Sequence, residues 1–384
     1  MEEKCMRVSD RGAENEITTR RSSNIEVLRI LAILMIVSFH CAYHSGFTYS
    51  SFSFNVFTVK SFYFLGELGV NLFFLISGYF IVNKGFRFKK FLLLEFEFVF
   101  YIILSALIAH LLTGSAYHPL RLFVSFLLPD YWFFLAYILL YLFSPYLNKA
   151  LTMLSRAELV KLLVLCWLVW SILPTLLGGI NAGNTERIYY FNRFIWAVVM
   201  YCTGAGISLH SIGWVKRKRV SLLLIILCSL IMLLSIWVIG AQKELFSGLG
   251  ISEPAYFWQI NTFPLGILSI SIFNLFIKWD IGSNRVLNRI SSTTLGIYLL
   301  TDGQLRPIIW NEILHAKEQL SHSAIHSLGF LILIPILIVA AAAVVDLIRQ
   351  LLETYTIKKI LASEKTDKLL EDMKSKIESV LQSL

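Results

Sequence analysis

"NIEVLRILAILMIVSFHCAYHSGF", residues 24–47, is long and apolar enough to cross a bilayer, yet it carries Arg29, His40 and His44. A hydrocarbon core about 30 Å thick needs ~20 apolar residues per helix. The stretch supplies them, and the rest of the chain has the same character. Of 384 residues 57% are hydrophobic and only 15% charged, and the mean hydropathy is +0.69. The expected fold class is an all-α integral membrane protein. The apolar runs predict a bundle of about ten transmembrane helices, at 25–44, 62–82, 91–113, 131–147, 159–178, 188–209, 220–240, 255–277, 291–311 and 325–348.

The positive charges test this segmentation independently, because Lys and Arg in short loops accumulate on the cytoplasmic side. The N-terminal tail holds 5, the successive loops 1, 4, 1, 2, 1, 4, 1, 3 and 1, and the segment from Arg349 onward 7. The alternation is unbroken, so both termini are expected in the cytoplasm. The +9 net charge is thus a topology signal, and no nucleic-acid partner is expected. The run Lys216, Arg217, Lys218, Arg219 serves that signal or touches anionic membrane lipid.

Three domains are expected: a cytoplasmic tail (1–24), a transmembrane domain (25–348) and a cytoplasmic segment (349–384). In the last, Leu369, Met373, Ile377, Val380 and Leu384 recur every three or four residues, the pattern of one amphipathic helix. Such a helix pairs two copies into a homodimer, lies on the membrane, or docks on the chain's own loops. The first span has no small-residue cleavage site after it and reads as a retained helix. Cys5, Cys41, Cys166, Cys202 and Cys228 are scattered without CxxC spacing, so neither a disulfide framework nor a metal site is expected.

A charged side chain inside a span costs at least ~2.5 kcal/mol on insertion scales, so such residues usually face the bundle interior and mark a site. Arg29 and His40 are eleven residues apart, almost three helical turns, which puts them on one face about 16 Å apart. Each alone has a plainer reading, with Arg29 snorkelling to the interface and His40 making a hydrogen bond near the other one. In "GELGVNLFFLISGYFIV" (66–82), Glu67 and Asn71 share a face, and Glu67 falls at the level of His40. A carboxylate beside an imidazole holds its tautomer, as a general base needs; alternatively Glu67 reaches solvent. Ser77 and Gly78 permit close helix packing.

Arg29 and His40 in the first span, followed by "GVNLFFLISGYF" (69–80), "YWFFLAYILLYLFSPYL" (131–147) and "SSTTLGIYLLTD" (291–302), resemble the membrane acyltransferase 3 family. The resemblance covers residues 24–348. It implies an O-acyltransferase whose donor substrate, not permanently bound, is acyl-CoA, usually acetyl-CoA, and whose acceptor is a carbohydrate or glycolipid hydroxyl. It makes His40 the catalytic histidine, with Glu67 as possible orienter, and Arg29 a cationic grip on the donor. The loop cluster Lys84, Arg87, Lys89 and Lys90 resembles the family's basic loop, so Lys89 and Lys90 are a second grip on the donor or a topology signal.

One departure stands out. Relatives often carry a histidine after Ile-Tyr-Leu-Ile, whereas this chain reads Ile297, Tyr298, Leu299, Leu300, Thr301, Asp302. Asp302 either does polar work in that place or neutralises Arg306, four residues on. Asn71, Arg193, Asp302 and Arg306 are expected to line the cavity, and Trp132, Trp258 and Trp310 to belong to the interfacial aromatic belt. Because the chain shows no internal repeat, the rival reading, a small-molecule transporter or exporter, finds no support in symmetry. The expected location is a cell membrane, as a multi-pass protein of a bacterial plasma membrane.

Overall fold

The computed structural model describes residues 23–114, 131–177, 192–211 and 217–363, together with 366, 368 and 372. Every regular element among them is helical, and none is a strand. In a medium without water each backbone N–H and C=O must find a partner within the chain, and a helix satisfies them locally.

The principal helices are α1 (Asn24–Tyr43), α2 (Phe54–Ser61), α3 (Tyr63–Ile81), α4 (Phe88–Thr113), α5 (Trp132–Met153), α6 (Arg156–Trp167), α7 (Arg193–His210), α8 (Lys218–Ala241), α9 (Phe263–Ile277), α10 (Arg285–Ser291), α11 (Thr294–Thr301) and α12 (Ala324–Tyr355). A π-helical turn, Leu168–Ile172, carries α6 on to Leu177. Among the described residues seven helices are long and apolar enough to cross a membrane: Asn24–Tyr43, Phe54–Ile81, Phe88–Thr113, Trp132–Met153, Arg156–Leu177, Lys218–Ala241 and Ala324–Leu361. The chain is a multi-pass membrane protein.

The other three expected spans take different forms. Residues 193–210 are one helix of 18 residues. The run expected over 255–277 holds a 3-10 turn at Tyr256–Trp258 and is α-helical for only its last 15 residues, since Pro264 fixes the start of α9. The run over 291–311 is broken. α11 stops at Thr301, Asp302 is extended, Gly303 takes φ +60°, and helix resumes at Leu305 and continues as a π-turn over Ile308–Ile313. Gly is suited to that left-handed conformation, which L-residues with a Cβ avoid. Broken backbone inside a membrane protein survives where protein buries it or it lines a cavity.

α1 and α3 form the centre. α3 packs against α1 on one side and α7 on the other, while α1 also meets α9, α10, α11 and α12. Glycine sets the α3–α7 approach: a Cβ on Gly78 would strike the Tyr201 carbonyl, and one on Gly204 would strike that of Leu75. Small residues at such crossings let backbones pack where lipid gives no hydrophobic driving force.

α12 runs past the expected end of the last span at 348. Arg349, expected to open a cytoplasmic segment, is only 3% exposed. The heptad-like positions Leu369, Met373, Ile377, Val380 and Leu384 lie outside the described residues, as does the tail before Ser23.

Candidate active site

α1 and α3 hold His40 and Glu67 at the wall of a cavity of about 210 Å³. α7 brings Arg193 to it, and the break after α11 brings Asp302 and Arg306. Five ionisable residues expected from sequence therefore converge from four parts of the chain on one space. The other walls are aromatic: Phe39, Tyr43, Trp132, Phe133, Trp258 and Tyr298.

The charges pair in a way that differs from the expected His40–Glu67 couple. Glu67, 3% exposed, accepts from Arg193 at 2.8 Å. Its second oxygen is buried without a hydrogen-bond partner. The Arg193 guanidinium also lies over the Trp132 ring, 4.6 Å from its centroid, a geometry in which the ring's negative face attracts a cation. Asp302 accepts from Arg306 at 2.6 Å. Asp302 and Arg306 act on His40 through space, and both line its cavity. His40 itself is 6% exposed, and its Nδ1 has no hydrogen-bond partner.

Asn71 lies elsewhere. Fully buried, it donates to the Ile260 carbonyl at 2.9 Å and accepts from the Trp196 indole at 3.0 Å. Both ends of its amide are thus committed to holding α3 against α7 and the loop before α9, and it is absent from the cavity wall.

Arg29 stands toward the other end of α1. Its Nη1 donates to both carboxylate oxygens of Glu26, at 2.9 and 3.0 Å, and its side chain is 25% exposed. Glu26 also accepts from the Ser291 hydroxyl. Lys90 is near enough to feel the charges of Arg29, Arg87 and Lys84, and it lies 4.9 Å from the Tyr141 ring centroid. Lys89 is half-buried beside it. Arg29 also acts on Tyr137. On α5, therefore, Phe133 faces the His40 cavity, Tyr137 the Arg29 region and Tyr141 the Lys90 region. One face of α5 runs from one charged site toward the other.

Sequence reasoning missed several residues of the wall. His44 lies beside His40 with ring centroids 5.5 Å apart, and its one-turn spacing was the available signal. Trp258 stacks on Phe39 at 6.0 Å and approaches Tyr43 at 5.2 Å. It lines the cavity with Trp132, a placement no local pattern could supply. Trp310 is fully buried.

A second buried charge cluster lies apart from the cavity. Arg349 meets Glu97 at 3.2 Å, Asp346 at 2.6 Å, and Glu353. Asp346 also accepts from Tyr101 at 2.8 Å and Gln350 at 2.7 Å. Gln350 in turn donates to the Ser292 carbonyl at 3.1 Å. The cluster ties α4 and α12 to the segment that leads into α11.

Among the described residues no group of His, Cys, Asp and Glu is arranged to hold a metal ion. A family model described as an acyltransferase domain, that of the acyltransferase 3 family, matches residues 22–349. No curated protein and no solved structure gives a significant match.

Proposed function

The chain belongs to the acyltransferase 3 family, and from that premise we propose that it moves an acetyl group from cytoplasmic acetyl-CoA to a hydroxyl of exopolysaccharide, capsule or lipid-linked carbohydrate. Membership implies acyl transfer as the activity. The choice of donor and acceptor and the residue roles are our reading.

One observation carries it. His40 lines a small cavity with two carboxylate–guanidinium pairs and an aromatic wall, while the same helix carries Arg29 toward a basic cluster at its other end. A CoA donor has a multiply charged phosphate head and an uncharged arm ending in the thioester. In this reading Arg29, Lys89 and Lys90 hold the head, since guanidinium and ammonium groups recognise phosphate. The arm follows α1 and α5, and the thioester reaches His40. Aromatic faces beside polar groups suit a sugar ring, so Trp258 and Trp132 flank the acceptor.

His40 removes the hydroxyl proton as the oxygen attacks the thioester carbon. Asp302 offsets the positive charge that His40 then carries. Glu67 holds Arg193 against Trp132, which makes it a positioning residue. The orientation follows the positive charges, with both termini and the Arg29 end cytoplasmic. That leaves ten passes, the broken α10–α11 region serving as one, in a bacterial plasma membrane.

The test uses membranes containing wild type or His40→Ala at matched expression, given acetyl-CoA labelled in its acetyl group. Label should enter the carbohydrate or glycolipid fraction with wild type and vanish with the variant. If wild type neither binds nor consumes acetyl-CoA in membranes bearing the native acceptors, the transporter reading replaces this one.

A further inference from the structure

Tyr298 has a buried hydroxyl that the reading above does not use. The residue is 3% exposed, lines the cavity beside His40, and completes no hydrogen bond through its hydroxyl. Its ring is fixed edge-on by Tyr131 at 6.1 Å and Phe133 at 5.2 Å. Leaving a buried hydroxyl unpaired costs roughly 1–3 kcal/mol, so its retention at a cavity wall points to a partner that comes and goes.

The polar groups that act on this hydroxyl are Asp302, Tyr131 and the backbone amide of Phe133. Asp302 is paired with Arg306 at 2.6 Å, and the neighbouring Tyr298 hydroxyl completes no hydrogen bond to it. Phe133 is the second residue of the 22-residue α5, and Tyr131 before it gives no side-chain cap. Its N–H is therefore among the first-turn donors that a helix cannot satisfy internally, and it stands at the positive end of the helix dipole. Trp132 and Phe133 both line the cavity.

We infer that the Tyr298 hydroxyl and the Phe133 amide at the start of α5 form the oxyanion site for acyl transfer. This rests on the reading of the cavity as an acyl-CoA site. The acceptor oxygen bonds to the thioester carbon while His40 takes its proton, and the carbonyl π pair moves onto oxygen. Tyr298 and Phe133 donate to that oxygen as its charge grows. When the pair returns, the C–S bond breaks, and His40 passes its proton to the CoA sulfur. Donors fixed in place before the charge forms stabilise it without reorganising.

The experiment compares the full chain and Tyr298→Phe, which keeps both ring contacts. Two unreactive CoA analogues are used: a thioether lacking the carbonyl, and a trifluoromethyl ketone whose hydrate is a tetrahedral gem-diol that ionises to an oxyanion. Wild type should prefer the ketone. In Tyr298→Phe, thioether affinity should stay within about twofold, while that preference and the acetyl-transfer kcat fall by about 10²–10³, the usual loss for one oxyanion donor. A retained preference, or equal loss of both affinities, overturns the inference, because a merely structural hydroxyl would affect both ligands alike. Wild type binding both analogues equally overturns the oxyanion site alone. Wild type binding neither overturns the acyl-CoA reading as well.

Discussion

At the scale of single residues, His40 is defined by what it lacks. Its Nδ1 is buried without a partner, and no carboxylate clamps the ring directly; Asp302 acts on it through space. His40→Gln should lower acetyl transfer by about 10²–10⁴, the usual range for a positioned base, while the protein elutes as a folded species in size-exclusion chromatography. Retention of full activity would remove His40 from the chemistry. Glu67→Gln removes the charge that holds Arg193. It should raise the acceptor KM about tenfold with little change in kcat, read from initial rates at saturating donor; a collapse of kcat instead would make Glu67 a direct participant. The spacing of Arg29 and His40 was legible because helical geometry relates residues eleven apart. Glu67's true partner was not, because Arg193 lies in another helix and only the packing of α3 on α7 brings them together. The same reason hid Trp258.

At the scale of elements, the α3–α7 crossing depends on two glycines facing each other's carbonyls. Gly78→Val should lower stability by roughly 1–3 kcal/mol, as overpacking does, seen as a lower thermal midpoint in detergent. An unchanged midpoint would show that the crossing is looser than described. Arg349 anchors α12 among three carboxylates. Arg349→Met leaves buried charge without compensation, and breaking such a pair costs about 3–5 kcal/mol. The variant should be recovered in much lower yield at equal transcription, and normal yield would mean that the cluster adapts by taking up protons. Apolar run length revealed the long helices well. It failed at 291–311, where a conformation available to glycine outweighs hydropathy, and at 255–277, where proline delays the helix. Arg349's burial was hidden for a related reason: a charge ends an apolar run in sequence, whereas its partners lie on α4 and on its own helix.

At the scale of the whole molecule, the charge alternation makes an orientation that can be read directly. Ser50→Cys should label with a membrane-impermeant maleimide in intact cells, and Lys84→Cys only after permeabilisation. The opposite pattern would invert the molecule and place the Arg29 region away from cytoplasmic CoA. A further consequence lies in α1, one uninterrupted helix carrying both Arg29 and His40. With no joint between them, it serves the proposed reaction as a ruler: a donor seated at one mark would present its reactive end at the other. The chamber at that second mark, about 210 Å³, is smaller than the ~300–1,000 Å³ of pockets that enclose drug-sized ligands. In the proposed reaction it holds both the transferable group and the hydroxyl that receives it. Acetyl and propionyl should therefore pass, and an octanoyl chain should jam the gauge, blocking turnover while its CoA head still binds.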